Sequence, residues 1–333
     1  MRVSDVPLLV DGGVRRHGRS SARPDVADPL AERSRVPRAL RWLRLKEWQG
    51  FTLLHPEMSS SFILQDAHYL ASSEIYVRDA AGLVEHARNA RGGSLRLPAR
   101  LYPSSPSIKA PGYRIAFEWA ASPAGHHRVT ARVDAEDDQP AISVDLVLDG
   151  GASSAPLSVS APLPGGSMYT HKVAYPASGT IAVGDRTHVF DPSRDLAVLD
   201  EHRTFLPYRT RWLWGTFAGI TPDGIAGANF AERATVPGSE EESGLWVPGA
   251  CEPLADIAFT ASDPADPLKP WTMRSEDGRL DVTFTPEDRK SVRHQLVVAS
   301  IDYWQLVGSY TGTVAGLPVT AMRGVCESMR ARL

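Results

Sequence analysis

Asp200-Glu-His-Arg-Thr-Phe-Leu-Pro-Tyr-Arg-Thr-Arg-Trp-Leu-Trp214 gathers acids, arginines, a histidine and aromatic residues into one short stretch. From Tyr208 onward it reads as a strand, in which successive side chains point to opposite faces. Tyr208, Thr210, Trp212 and Trp214 then share one side, and Arg209, Arg211 and Leu213 share the other. An aromatic stripe led in by Asp200, His202 and Arg203 suits a pocket wall. A core strand capped by a surface ion pair accounts for the same residues.

Outward from this stretch, the chain from Trp48 onward is a series of short alternating segments punctuated by Gly, Pro, Asp and Asn. Expected strands include 50–55, 60–70, 73–78, 95–102, 113–120, 127–134, 142–149, 168–174, 208–218, 225–230, 253–260, 279–285, 292–300, 303–312 and 317–325. Asp149-Gly150, Asp223-Gly224 and Asp277-Gly278 are turn signals between them. Helices are expected only at Pro37–Lys46 and Ala80–Ala90. So many short strands predict an all-β protein of antiparallel sandwiches or barrels and argue against βαβ units. In Phe62–Leu70, either face carries polar groups. Buried polar groups must be satisfied or functional, and a ligand-holding barrel accommodates them.

The 333 residues suffice for two domains or one large β domain. A net charge of −3 and pI near 6.4 give no electrostatic reason to expect nucleic acid or an anionic membrane as a partner. Arginines bunch in residues 1–36, but acids, Pro and Ser dilute them, so this segment reads as a solvated arm. No apolar run approaches the roughly 20 residues that span a bilayer, and the first twenty residues hold no apolar stretch of signal-peptide length. Cys251 and Cys326 are too few and too far apart for a disulfide framework or a zinc site. The expectation is a cytoplasmic protein, monomer or homodimer, with no cofactor and no metal.

No phosphate loop, nucleophile elbow, HExxH or CxxC is present. His126-His127 reads as a surface pair beside a hairpin turn. Tyr169 and His171 fall on one strand face, Thr170 and Lys172 on the other. An exposed edge lysine is the simpler reading of Lys172, a turn residue that of Asn229, and a solvated charge run that of Glu240–Glu242.

Several stretches together carry a resemblance. They are Lys46-Glu-Trp-Gln, Leu64-Gln-Asp-Ala-His-Tyr, Tyr169-Thr-His-Lys with Pro176 and Gly179, and Leu199-Asp with Arg203 and Pro207–Trp214. Gly227-Ala-Asn229, Trp271 through Pro286, and Gln305-Leu-Val-Gly with Tyr310 and Gly312 complete them. In this order the chain resembles a bacterial domain family of unknown function related to the carotenoid 1,2-hydratase and tocopherol cyclase group. It departs from the usual pattern at Glu201-His202 and at Glu242-Ser243. The resemblance implies two lipocalin-like β-barrel halves packed together, with ligand between or within them. The expected division is an arm at 1–36, a first β domain at 37–190 and a second at 191–333.

The function expected from these residues is acid–base hydration, cyclisation or isomerisation of a largely apolar, isoprenoid- or polyketide-like molecule. Asp66 or Asp200 would donate a proton, since burial among aromatic residues raises a carboxyl pKa. Tyr208, Trp212 and Trp214 would face the developing cation, and His68 or His202 would remove the last proton or activate water. Arg203 would orient the acid; if it pairs with Asp200, Asp66 is the better donor. Tyr169, Lys172, Asn229, Glu242 and Gln305 complete the expected binding set. A non-catalytic carrier of a lipid-like ligand is the alternative, and a carbohydrate-active protein the second. An acid and base facing one cavity would favour catalysis, and a uniformly apolar tunnel would favour carriage.

Overall fold

In the computed structural model, residues 8–254, 256–295 and 299–332 are described. Residues 1–7 of the expected arm, residue 255 of the expected strand 253–260 and residues 296–298 of the expected strand 292–300 lie outside them. The architecture is nearly all β: two large antiparallel sheets and one short α-helix, Arg38–Arg44. Among the described residues, no helix is long and apolar enough to cross a membrane.

The first sheet has 13 strands. Its central order is Met58–Asp66, Leu45–His55, Leu196–Phe205, Gly166–Val183 and Ile142–Asp149. The second has nine, with Gly224–Arg233, Arg209–Thr221, Leu317–Arg332, Ser300–Val314 and Leu280–Gln295 at its centre. Leu196–Phe205 pairs with Leu45–His55 on one side and Gly166–Val183 on the other. The change of sheet therefore comes at 206–208, within the opening stretch and later than the expected boundary at 190/191.

Strand alternation determines what each sheet buries. Ala197 and Leu199 join Phe51, Leu53, Phe62, Leu64 and Tyr175 in the interior of the first sheet. Leu196 and Val198 point the other way and meet Leu54, Ala174, Ala218, Ile225 and Trp246 between the sheets. Phe217, Phe230, Phe284, Leu306 and Tyr310 fill the second interior. Close-packed layers on both faces leave little room for a misplaced side chain. At Gly215, for example, an added Cβ would lie 2.6 Å from the Phe230 ring and 2.8 Å from the Tyr310 hydroxyl.

Three expectations are corrected here. Residues 82–91 form a strand, Gly82–Arg91, and not part of a helix at 80–90. Their burial alternates, with Val84 and His86 inward, and they pair with Leu70–Asp79 across a tight turn in which Gly82 adopts φ +118°. Residues 95–102 form no strand, although Leu95, Leu97 and Leu101 still pack into the first core. The pair His126-His127 is not simply surface: His127 is buried and packs against Trp119, Tyr102 and Tyr175.

The arm is likewise no solvated tail over its described length. Gly18–Ser20 pairs with Leu157–Leu163, and Arg15 and Arg23 are buried. Arg23 donates to both carboxylate oxygens of Glu201 at 2.7 Å. Glu201 faces the first interior, where an unpaired charge would be strongly disfavoured. An arginine from the arm supplies the counter-charge.

Candidate functional site

Alternation in Leu196–Phe205 separates the charged residues into two clusters. Glu201 and Arg203 point into the first sheet's interior; Asp200 and His202 point into the space between the sheets. Inside, Arg23, Glu201, Arg203, Glu47, His68 and Asp66 form a chain of alternating charge. Arg203 pairs with Glu47 and, at 3.3 Å, with Glu201. His68 lies between Glu47 at 3.1 Å and Asp66 at 3.4 Å. Burial disfavours a charged His68, but hydrogen bonds and charge from Asp66 and Glu47 prevail and raise its pKa to about 9. His171, buried in the same interior beside no such pair, is lowered to about 3.

The His68 shift has a testable sign. A raised folded-state pKa contributes stability that is fully present below the unfolded value near 6.5 and is lost as pH rises through about 9. Denaturant titrations of the wild type and H68Q between pH 6 and 10 should converge as pH rises, with at most about 3 kcal/mol of pH-dependent difference.

Between the sheets lies a cavity of about 310 Å³. Trp48, Thr52, Ile63, Gln65, Glu74, Lys172, Asp200 and His202 line it from the first sheet; Trp212, Trp214, Tyr303, Gln305, Glu327 and Met329 line it from the second. Lys172 is 1% exposed, pairs with Asp200 and approaches Glu242 at 3.7 Å and the Trp214 ring at 4.9 Å. His202 Nε2 lies 3.2 Å from both Asp200 and Glu242 and 3.0 Å from the Thr170 hydroxyl. Trp48 stacks on His202 at 4.3 Å and donates its indole N–H to Asp200 at 3.1 Å. Asp200 is 24% exposed and is the face that this cluster presents to the cavity.

The cluster's electrostatics are set by burial against pairing. Burial alone would raise the carboxyl pKa of Asp200, but Lys172 and His202 outweigh it and hold it well below the usual range. Arg233, Lys172 and His202 do the same for Glu242. For His202, burial opposes the charge, and Asp200 and Glu242 overcome it, raising its pKa.

Glu327, on the second sheet's side of the cavity, differs. Burial raises its pKa, and the negative charge of Asp200 adds to this. Hydrogen bonds from Trp212 Nε1 at 2.9 Å, the Tyr303 hydroxyl at 2.8 Å and Gln305 Nε2 at 3.1 Å pull it down without prevailing. The Tyr76 hydroxyl in turn donates to Gln305 at 2.6 Å and anchors the amide.

Of the residues expected from sequence, Lys172, Asp200, His202, Trp212, Trp214, Glu242 and Gln305 line this cavity, and Asp66 borders it with its carboxylate turned inward to His68. Arg203 does not, and it meets Glu47 and Glu201 rather than Asp200. Tyr169 is buried in the first interior beside Leu9, Val10 and Ala27. His68 lies behind Asp66, away from the lining. Asn229 acts at one remove, accepting the Trp214 indole N–H at 3.0 Å and donating to the Glu242 carbonyl at 2.8 Å. Tyr208 precedes Arg209–Thr221, is 52% exposed and does not line this cavity. Trp48, Arg233, Tyr303 and Glu327 were missed. Glu327 is the sole acid of Leu317–Arg332, but the expected strand ended at 325.

Two groups bring potential metal-ligating atoms within 4.8 Å of one another among the described residues: Glu47, Asp66 and His68, and His55, Glu57 and His188. In the first, both ring nitrogens of His68 already face carboxylates. In the second, His55 Nδ1 accepts the Glu57 backbone N–H and His188 Nε2 faces Asp79.

No curated protein matches the sequence. Among solved structures, the crystal structure of kievitone hydratase from Nectria haematococca aligns with a TM-score of 0.48 and 11% identity, covering 86% of this chain and 88% of that one. A family model matches residues 11–333, and the chain accordingly belongs to the family described as a domain of unknown function, DUF2804.

Proposed function

We propose that the inter-sheet cavity is the active site of an acid–base enzyme that adds water to, or removes it from, a largely apolar small molecule. The observation that carries this reading is a pair of carboxyl groups facing one cavity with opposed shifts: Glu327 raised, Asp200 held ionised. Environments that push two acids apart in this way assign one as proton donor and the other as fixed negative charge. The donor role expected of Asp66 or Asp200 passes in this proposal to Glu327.

Glu327, protonated, transfers its proton to an alkene carbon of the substrate. The positive charge left on the adjacent carbon is stabilised by Asp200 and by the faces of Trp48, Trp212 and Trp214, each desolvated cation–π contact contributing about 2 kcal/mol. Water adds to that carbon, and the surplus proton on its oxygen returns to the Glu327 carboxylate, restoring the acid. Lys172 and His202 keep Asp200 ionised and in place. Dehydration is the same path reversed.

Ile63, Leu70, Val292, Ile301 and Met329 complete the walls. They favour an apolar substrate over a carbohydrate, whose hydroxyls need polar partners along their length. The acid and the ion cluster facing the same space favour catalysis over carriage. The test is incubation with a panel of isoprenoid and polyketide alkenes in D2O, followed by mass spectrometry. Deuterium at carbon is expected with the wild type and not with E327Q. Retention of panel members without any isotope incorporation would make the protein a carrier.

A further inference from the structure

Among the described residues, six of the twelve large apolar side chains that are exposed sit in two short segments. Val36, Leu40, Trp42 and Leu43 belong to the α-helix and the residues just before it, Tyr69 and Leu70 to the turn between Met58–Asp66 and Leu70–Asp79. Scattered singly, such residues need no explanation; gathered, they mark a contact surface. Printed side-chain contacts join the two segments. The Trp42 ring lies 4.6 Å from that of His68, and Lys46 Nζ donates to the Leu43 carbonyl at 3.0 Å while sitting 4.8 Å from the centre of the Tyr69 ring. On the helix, Arg41 also turns toward the body of the protein, where it donates to the Pro29 carbonyl at 2.8 Å and lies over Phe205. Leu40 and Leu43, three residues apart, share the face turned away.

The charge around this patch has one sign. Residues 33–46 hold five arginines, a lysine and no acid, which the chain's net charge of −3 conceals. Asp28 and Glu32 approach Arg38 and Arg41, each at 3.6 Å. Arg33, Arg35 and Arg44 are exposed, and among the described residues no carboxylate lies within ion-pairing distance of them. Arg35 and Arg44 thus bracket the apolar face with unanswered positive charge. Apolar and aromatic side chains edged by arginines suit the interface of an anionic bilayer. A second copy of this chain on the same patch would set arginine against arginine. The patch also borders the way into the inter-sheet cavity: of the residues lining that cavity, the exposed ones are Gln65, Tyr69 and Leu70, and Lys46 lines it beside them.

We propose that this patch docks the protein on an anionic phospholipid bilayer, with Leu40, Leu43, Tyr69 and Leu70 at the level of the headgroups and the mouth of the cavity facing the membrane. Apolar molecules dissolved in the bilayer then reach the cavity without crossing water. The docking goes beyond the chemistry proposed for the cavity and does not depend on it.

The test is flotation of the full chain with vesicles of phosphatidylcholine alone and of phosphatidylcholine with about one-third phosphatidylglycerol. The wild type should float with the mixed vesicles, far less with the neutral ones, and less with either as salt is added. R35Q/R44Q and L40S/L43S should each bind the mixed vesicles at least about tenfold more weakly, the first by losing charge and the second by losing apolar contact. Y69S/L70S, at the mouth itself, should bind more weakly too. All six side chains are exposed, so the variants should melt as the wild type does, which separates lost docking from lost fold. A wild type that does not float with the mixed vesicles would overturn the docking, as would L40S/L43S and R35Q/R44Q floating as the wild type does. Undiminished flotation of Y69S/L70S would overturn the placement of the mouth at the bilayer. A wild-type dimer that L40S/L43S abolishes, without flotation, would assign the patch to self-association instead. Isotope incorporation in D2O reads the chemistry of the cavity alone, so the two readings fail separately.

Discussion

E327Q is expected to lower kcat about a thousandfold while leaving folding and ligand affinity nearly intact. Glutamine keeps the shape, and its amide oxygen can accept the bonds from Tyr303 and Gln305 at the cost of the one from Trp212, but it has no acidic proton to give. Loss of a positioned general acid removes factors of about 10² to 10⁴, and an effect confined to the transition state appears in kcat and not in KM. The pH profile makes the prediction sharper. Glu327 is active when protonated, so the wild-type rate should fall as pH rises through its pKa, which burial and Asp200 set above the ordinary carboxyl value. In D200N the added negative charge is gone, and that limb should move to lower pH. An E327Q rate within a factor of about ten of wild type would exclude the proton-donor role.

R23A is expected to be the most destabilising single change away from the cavity, by about 3–5 kcal/mol, because it leaves the carboxylate of Glu201 buried with only Arg203 beside it. Urea melts should show a lower midpoint with an unchanged slope, the signature of lost stability without a change in the surface exposed. Glu201 also predicts the acid limb. Burial would raise its pKa, but Arg23 and Arg203 lower it to about 2. A depressed folded-state pKa contributes stability that is present above the unfolded value near 4.5 and is lost as pH falls through about 2. The wild type should therefore lose more stability than R23A between pH 4.5 and 2. A parallel fall in both would show that the pair does not carry the effect.

The two predictions meet at neighbouring residues of one strand, Asp200 through its charge on Glu327 and Glu201 through its pair with Arg23. Asp200 and Glu201 are adjacent in sequence, so their side chains leave opposite faces of the first sheet. One enters the space between the sheets beside Lys172, and the other enters a barrel interior where an arm arginine meets it. Glu201 and His202 thus place a charged group in each environment.

Strand periodicity, turn signals and the scarcity of helical patterns determined the all-β class and the aromatic face of Trp212 and Trp214, since both follow from local backbone geometry. The alternation at Tyr169–Lys172 separated His171 from Lys172 for the same reason. Local pattern failed where tertiary pairing prevailed: residues 82–91 lie in a sheet because Leu70–Asp79 is there to pair with them. Burial of the arm was illegible because its cause, Glu201, lies far along the chain.

In Asp200–Trp214 itself, the sequence determined which side chains travel together and which part company. Only the tertiary structure decided that Pro207 falls at the change of sheet, so that Asp200 and His202 look across a cavity at Trp212 and Trp214. Only the tertiary structure, too, brought Glu327 to that space. Sheet register is set by long-range hydrogen bonding and by the burial of whole faces, and a pKa follows from which groups that register brings within a few ångströms.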